Sequence, residues 1–188
     1  MLIAIMLGLP FPLLPLQILW INLTVNVFPA LALAAEPAEP GLMSAPPRTP
    51  STSLLPIDAQ LRIVGISLLL AFSALAAFLW ALAQYGEGRQ AETVAFVTLA
   101  MAQLWLAFTA RSERASMHSV RFWSNPALLG AVALTAVSLL AAVYLPFLEA
   151  VLESAPLRAN DWGIALVCSL APVVVIEAVK WLRRPRGK

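Results

Sequence analysis

The sequence predicts an all-α, polytopic transmembrane helical bundle: a partial first helix followed by five spans. Three observations carry that prediction. Of 188 residues, 61% are hydrophobic and only 12% are charged, whereas a soluble domain is about half apolar and about a quarter charged. Mean hydropathy is +0.84. The apolar residues also stand in blocks rather than in alternation, each near the ~20 residues that cross ~30 Å of hydrocarbon.

The chain opens Met1-Leu2-Ile3-Ala4-Ile5-Met6-Leu7, with no basic residue and no clear cleavage site, so it does not read as a signal peptide. Pro10, Pro12 and Pro15 follow directly. Residues 1–15 are expected to form the second half of a membrane helix and a loop. The five spans are expected at residues 16–35, 62–85, 92–110, 126–148 and 162–182. Between the first two lies a Pro-rich stretch, residues 36–60, with Pro37, Pro40, Pro46, Pro47, Pro50 and Pro56. That composition makes an extended linker, not a domain. Residues 86–90 make a tight polar turn. Residues 111–125 are basic and hold Phe122 and Trp123, as an interfacial stretch would. Residues 149–161 are acidic and polar, and the tail, 183–188, is basic.

Charge sets the expected orientation. Arg48, Arg62, Arg111, Arg114, Arg121, Lys180, Arg183, Arg184, Arg186 and Lys188 fall on one side, which is ten of the 12 basic residues. Only Arg89 and Arg158 fall on the other. Cytoplasmic loops carry the excess of Lys and Arg. The 36–60 linker and the C-terminus are therefore expected in the cytoplasm, with the protein in the plasma (inner) membrane.

Composition also excludes function classes. A single cysteine, Cys168, allows no disulfide framework, and a single histidine, His118, allows no histidine metal cluster. No soluble segment is long enough to build a core. The sequence holds no phosphate-binding Gly-rich loop and no nucleophile elbow. The expected surroundings are the lipid bilayer, with no nucleic acid. The six tryptophans stand mostly near span ends, as an aromatic belt does. Glu177 and Lys180, three apart, are read as an interfacial pair with Lys180 reaching to the headgroups.

One stretch carries chemistry. Within the first full span, Asn22, Thr24 and Asn26 interrupt the apolar run, and Pro29 follows. Asn22 and Asn26 are four apart and share a helix face. Pro29 gives no N–H to the carbonyl of Val25 and loosens that turn. Freed carbonyls beside side-chain amides offer a place where a cation sheds water inside a membrane. Membrane asparagines also bond neighbouring helices, so the pair reads equally as interhelical glue.

The same stretch resembles the sixth helix of P-type cation-transporting ATPases, above all calcium pumps and their bacterial cousins. The resemblance rests on Leu19-Trp20-Ile21-Asn22-Leu23, Pro29-Ala30-Leu31-Ala32-Leu33, Glu36-Pro37, Met43 and Pro46-Pro47-Arg48. It continues through Ala102-Gln103-Leu104 and Arg111-Ser112-Glu113, like the family's eighth helix. Ser124-Asn125-Pro126 is similar to the start of its ninth, and Pro156-Leu157 with Asp161-Trp162 to the approach to its tenth. The resemblance implies a C-terminal membrane domain, from the middle of the fifth helix to the tenth. It also implies transported-cation positions at Asn22, Asn26 and Gln103. Here the pattern departs from the family: Val25 stands where the family has Thr, Asn26 where it has Asp, and Val27 where it has Gly. A divalent ion needs anionic oxygens, so a tight calcium site made by this chain alone is not expected.

The family's phosphorylated DKTG motif, its nucleotide-binding domain and its TGE motif do not occur in this sequence. The chain is therefore not expected to be an ATPase by itself or to bind a cofactor. ATP and magnesium would act only through a catalytic half in the same or another chain. The expected function is a membrane-domain portion, fragment or split subunit, of a cation-transporting ATPase. The alternative is a free-standing, non-enzymatic membrane protein derived from that domain, with a structural or regulatory role.

Overall fold

A computed structural model describes residues 1–35, 56–109 and 125–183. The linker up to residue 55, the basic loop with His118 and Trp123, and the tail beyond residue 183 lie outside the described residues. Within them, all regular structure is helical. The order is α1 (Leu2–Met6), α2 (Pro15–Trp20), a π-helix π1 (Ile21–Asn26), α3 (Val27–Ala34), α4 (Ile57–Tyr85), α5 (Arg89–Thr109), α6 (Pro126–Tyr144), α7 (Pro146–Leu152) and α8 (Ala159–Arg183). The run α2–π1–α3 is one span, and α4, α5, α6 and α8 are long and apolar enough to be four more. The protein is an integral membrane protein with a short helix before its five spans.

Local chemistry sets the ends. Helix α4 starts five residues before the apolar block read from sequence. Pro56 caps it in an extended conformation, and Asp58 lies in its first turn, where the helix dipole favours an anion. It stops at Gly86, which has φ +74, a left-handed angle that costs glycine little. Asn125 starts α6 by accepting the Leu128 N–H (2.9 Å), with Pro126 in the first turn. The sequence reading ran this span on to residue 148. In the structure it stops at Tyr144, and the separate helix α7 begins at Pro146. Pro146 gives no N–H and forces Leu145 into an extended conformation, φ −85 and ψ 117.

Helix α5 is the centre. Two thirds of its apolar window (67%) is buried, against 17% for α4 and for α8. It packs against both of them and also against the turn π1. Small residues allow the close approach: Ala91, Ala95, Ala100, Ala102 and Ala107 are buried, as are Thr93 and Thr98. The outer faces of α4, α6 and α8 expose Leu68, Phe72, Leu134, Val137, Val167 and Val174. In lipid that is the expected outer surface.

Bonds between helices gather at the two ends. At one end, Asp161 is wholly buried and accepts from the Tyr85 hydroxyl (2.7 Å), the Arg158 N–H (2.8 Å) and Gln90 Nε2 (3.4 Å). At the same end, Gln17 Nε2 donates to the Leu152 carbonyl (3.1 Å), and the Ala155 N–H donates to Thr93 (2.9 Å). At the other end, Asn125 Nδ2 donates to the Ala32 carbonyl (3.1 Å). There too, Lys180 Nζ donates to the Thr109 carbonyl (2.7 Å) and pairs with Glu177 (3.3 Å). The pairing matches the sequence reading, but Lys180 turns inward to cap α5 instead of reaching outward.

Candidate functional site

The first full span would be a plain α-helix but for six residues in its middle. Ile21–Asn26 form a π-helix, flanked by α2 and α3. In a π-helix each N–H reaches back five residues, and such turns are uncommon and concentrate at functional sites. Local chemistry favours one here. Pro29, buried in the first turn of α3, has no N–H to return to the residues before it. The Thr24 hydroxyl bonds back to the Trp20 carbonyl (2.7 Å), a contact that bends helices. The Thr24 carbonyl, in turn, lies 3.2 Å from the Thr135 hydroxyl of α6. Thr135 is wholly buried and shares its single proton with the Ala131 carbonyl of its own helix (2.8 Å). A hydroxyl from a neighbouring helix thus bonds a carbonyl of the π-turn, one residue before the Val25 carbonyl that Pro29 leaves without its helical donor.

The turn has two faces. Ile21, Thr24 and Val25 point inward and are buried. Asn22 and Asn26 lie on the opposite face and are exposed. Their side chains meet: Asn26 Nδ2 donates to Asn22 Oδ1 at 3.0 Å. Both groups are neutral amides. Of the site residues read from sequence, the structure brings these two together.

Gln103 lies elsewhere. It sits on α5 and lines a cavity of about 300 Å³ walled by α1 and its loop (Met1, Ala4, Leu13), α4 (Ser67, Ala71) and α5. Neither Asn22 nor Asn26 lines that cavity. The Gln103 Oε1 atom is buried without a hydrogen-bond partner. A buried acceptor without a donor costs about 1–3 kcal/mol, which sets Gln103 apart from the amides of Gln17 and Asn125, which are buried and bonded. Gln17 both accepts from the Leu14 N–H (3.2 Å) and donates to Leu152. Val25 and Val27 flank the amide pair with no polar atom to offer. Among the described residues no group of three or more His, Cys, Asp or Glu is placed to hold a metal ion.

Sequence reasoning found the two amides and the proline. It missed the π-helical form of the turn and the part of Thr135, which stands 111 residues from Thr24. The available signal for Thr135 was a lone threonine in the apolar block of α6.

Comparison with known proteins identifies the family. Residues 10–182 match the family described as cation transporting ATPase, C-terminus. The chain is 32% identical over 177 residues to a calcium-transporting ATPase of Bacillus subtilis, covering 94% of this chain and 20% of that protein. It is 32% identical over 185 residues to the probable cation-transporting ATPase F of Mycobacterium tuberculosis, covering 98% and 20%. It is 27% identical over 178 residues to calcium-transporting ATPase 1 of Saccharomyces cerevisiae, covering 94% and 19%. The chain spans about a fifth of the length of the curated relatives it matches. With residues 10–182 of its 188 matched to the family's C-terminal region, this chain belongs to the C-terminal membrane domain family of cation-transporting P-type ATPases.

Proposed function

We propose that this chain is the C-terminal membrane portion of an ATP-driven cation pump, and that the turn at Ile21–Asn26 forms part of the cation's path. One observation carries the reading: the first full span of this chain holds a π-helical turn whose two amides, Asn22 and Asn26, face outward. Exposed amides in the middle of a span are costly against hydrocarbon. The face is therefore covered by protein, and the catalytic portion, in the same or another chain, is the partner that would cover it. That portion would supply ATP and Mg²⁺ chemistry. On this chain, α5 with α4 and α8 forms a packed block against which the turn is held. Gln103, with its unpartnered oxygen, is a second candidate contact for a cation.

The excess of basic residues supports a cytoplasmic C-terminus, with the chain in the plasma (inner) membrane. Protease treatment of sealed vesicles of known sidedness, with a tag after Lys188, tests that placement. The direct test of function is purification through the same tag from native membranes. A co-purifying portion that accepts phosphate from ATP, with cation uptake lost in Asn22→Ala, is the expected result. The bond between Asn26 and Asn22 favours a second reading, a free-standing structural protein in which the amides only hold each other. No catalytic portion would then co-purify, and Asn22→Ala would alter no transport.

A further inference from the structure

We infer that α8 is a jointed strap: its first half is fixed in the bundle, its second half pivots at Pro172, and Ser73 and Lys180 are the two catches that hold it closed. The inference does not depend on the proposed role of the π-turn. The first ground is the joint. Pro172 lies inside α8, well within a membrane span. It has no N–H, and its ring crowds the carbonyl four residues back, that of Cys168. Hydrocarbon offers that carbonyl no partner, and a membrane helix tolerates such a proline where neighbouring side chains serve the freed group. The neighbour here is Ser73 of α4. It is buried, and its hydroxyl donates to the Cys168 carbonyl across 95 residues of sequence. The hydroxyls of Thr98 and Ser169, buried in the same block, each bond a carbonyl of their own helix (2.7 and 2.9 Å). The Ser73 hydroxyl crosses to another helix and takes the place of the N–H that Pro172 lacks.

The second ground is packing. Asp161, Ala165, Ser169, Pro172 and Val173 are the buried residues of α8. Their spacing of four and three keeps them on one helix face, and α8 packs against α4 and α5. Beyond Val173, none of the described side chains of α8 is buried. Val174, Val179, Trp181 and Leu182 are exposed. At the far end, Lys180 Nζ donates to the carbonyl of Thr109, the last residue of α5 (2.7 Å), and pairs with Glu177 (3.3 Å). Packing therefore holds the first half, and polar bonds at its two ends hold the second. Helices bend at prolines, and segments with few buried contacts open at the least cost. Opening the second half parts Lys180 from Thr109 and uncaps α5, the helix at the centre of the bundle.

The experiment is amide hydrogen exchange, read by mass spectrometry, on the full chain purified through a tag after Lys188 together with any portion that accompanies it. In the unaltered protein, exchange over residues 173–182 should be faster than over 160–167. Ser73→Ala should speed exchange over 173–182 about three- to fifteen-fold, the range that interhelical hydrogen bonds in membranes span, and leave 160–167 as it was. Lys180→Met should act in the same direction on the same segment. Pro172→Ala restores the missing N–H to the Cys168 carbonyl, so adding Ser73→Ala to it should change exchange by less than about two-fold. If Pro172→Ala does not assemble, Ser73→Ala and Lys180→Met carry the test. Exchange that rises equally over both halves in either variant shows α8 moving as one rod and overturns the joint. Exchange unchanged in both overturns the catches. An effect of Ser73→Ala as large beside Pro172→Ala as alone overturns the assignment of Ser73 as the donor that stands in for the proline.

Discussion

Replacing Thr135 by valine removes one hydroxyl and keeps the shape of the side chain. Thr135 is wholly buried, and its proton is shared between Thr24 of the π-turn (3.2 Å) and Ala131 one turn back in its own helix (2.8 Å). The Ala131 carbonyl remains within the regular helix α6 after the substitution. The Thr24 carbonyl loses its bond to the neighbouring helix. Interhelical hydrogen bonds in membranes average about 0.6 kcal/mol, and the strongest reach about 1.7 kcal/mol. A buried acceptor left without a donor costs about 1–3 kcal/mol. These limits place Thr135→Val near 1 kcal/mol of lost stability, which corresponds to about 2–4 °C in melting temperature for a chain of this size. Thr98→Val is the matched control. Thr98 is also wholly buried, but its hydroxyl bonds to the Val94 carbonyl of its own helix (2.7 Å). Its loss should cost close to nothing. Thermal unfolding of both variants in one detergent makes the comparison. Equal losses, or a larger loss for Thr98→Val, would refute the claim that Thr135 supports the turn.

Three further outcomes follow from the same geometry. Asn125→Ala removes both the cap on α6 and the bond to the Ala32 carbonyl; the cap alone is worth about 1 kcal/mol, so the loss measured by thermal unfolding should be about 1.5–2 kcal/mol. Gly86→Ala should cost about 1–3 kcal/mol in the same measurement, through backbone strain alone, since φ is +74 with ψ −167, a region close to glycine-only, and a Cβ there meets nothing within 4 Å. Asp161→Ala should speed hydrogen exchange at the start of α8 and around Tyr85 and Gln90, while exchange in the middle of α5 stays slow; exchange unchanged at α8 would show that the Asp161 contacts hold nothing.

Much of the fold was legible because hydrocarbon imposes a simple rule. A run near twenty apolar residues must be helical, since lipid offers its backbone no other partner. The five blocks and the turn at Gly86 follow from that rule and from glycine's freedom at positive φ. What failed to show was decided by contacts between distant residues. The apolar run of α6 continues through Pro146, which breaks the helix locally, and Gln17 on the Leu152 carbonyl helps to hold α7 beyond the break. Asp161 read as an ordinary helix-start residue. It also holds Tyr85 and Gln90, which stand 76 and 71 residues away. Lys180 lies at an interface by its place in the sequence, yet it caps α5 because the Thr109 carbonyl ends that helix within reach.

The candidate site was legible in part for a related reason. Asn22 and Asn26 announce themselves, since amides are rare company in an apolar span, and their spacing puts them together on a helix. Gln103 announces itself the same way, yet the fold places it in a different cavity, lined by α1, α4 and α5. The distinction between them lies in their partners. Gln17, Thr24, Thr93, Asn125 and Thr135 are buried, and each makes at least one bond to another residue of this protein. Buried polar groups ordinarily do so. Asn22 and Asn26 meet only each other, on a face that the rest of the described chain leaves open. Had the pair served only to join helices of this domain, it would point inward, as Thr24 does toward α6. Its outward aim favours the proposed reading, in which another surface packs on that face. A polar surface in the middle of a membrane span is compatible only with another protein surface or with an ion and its water.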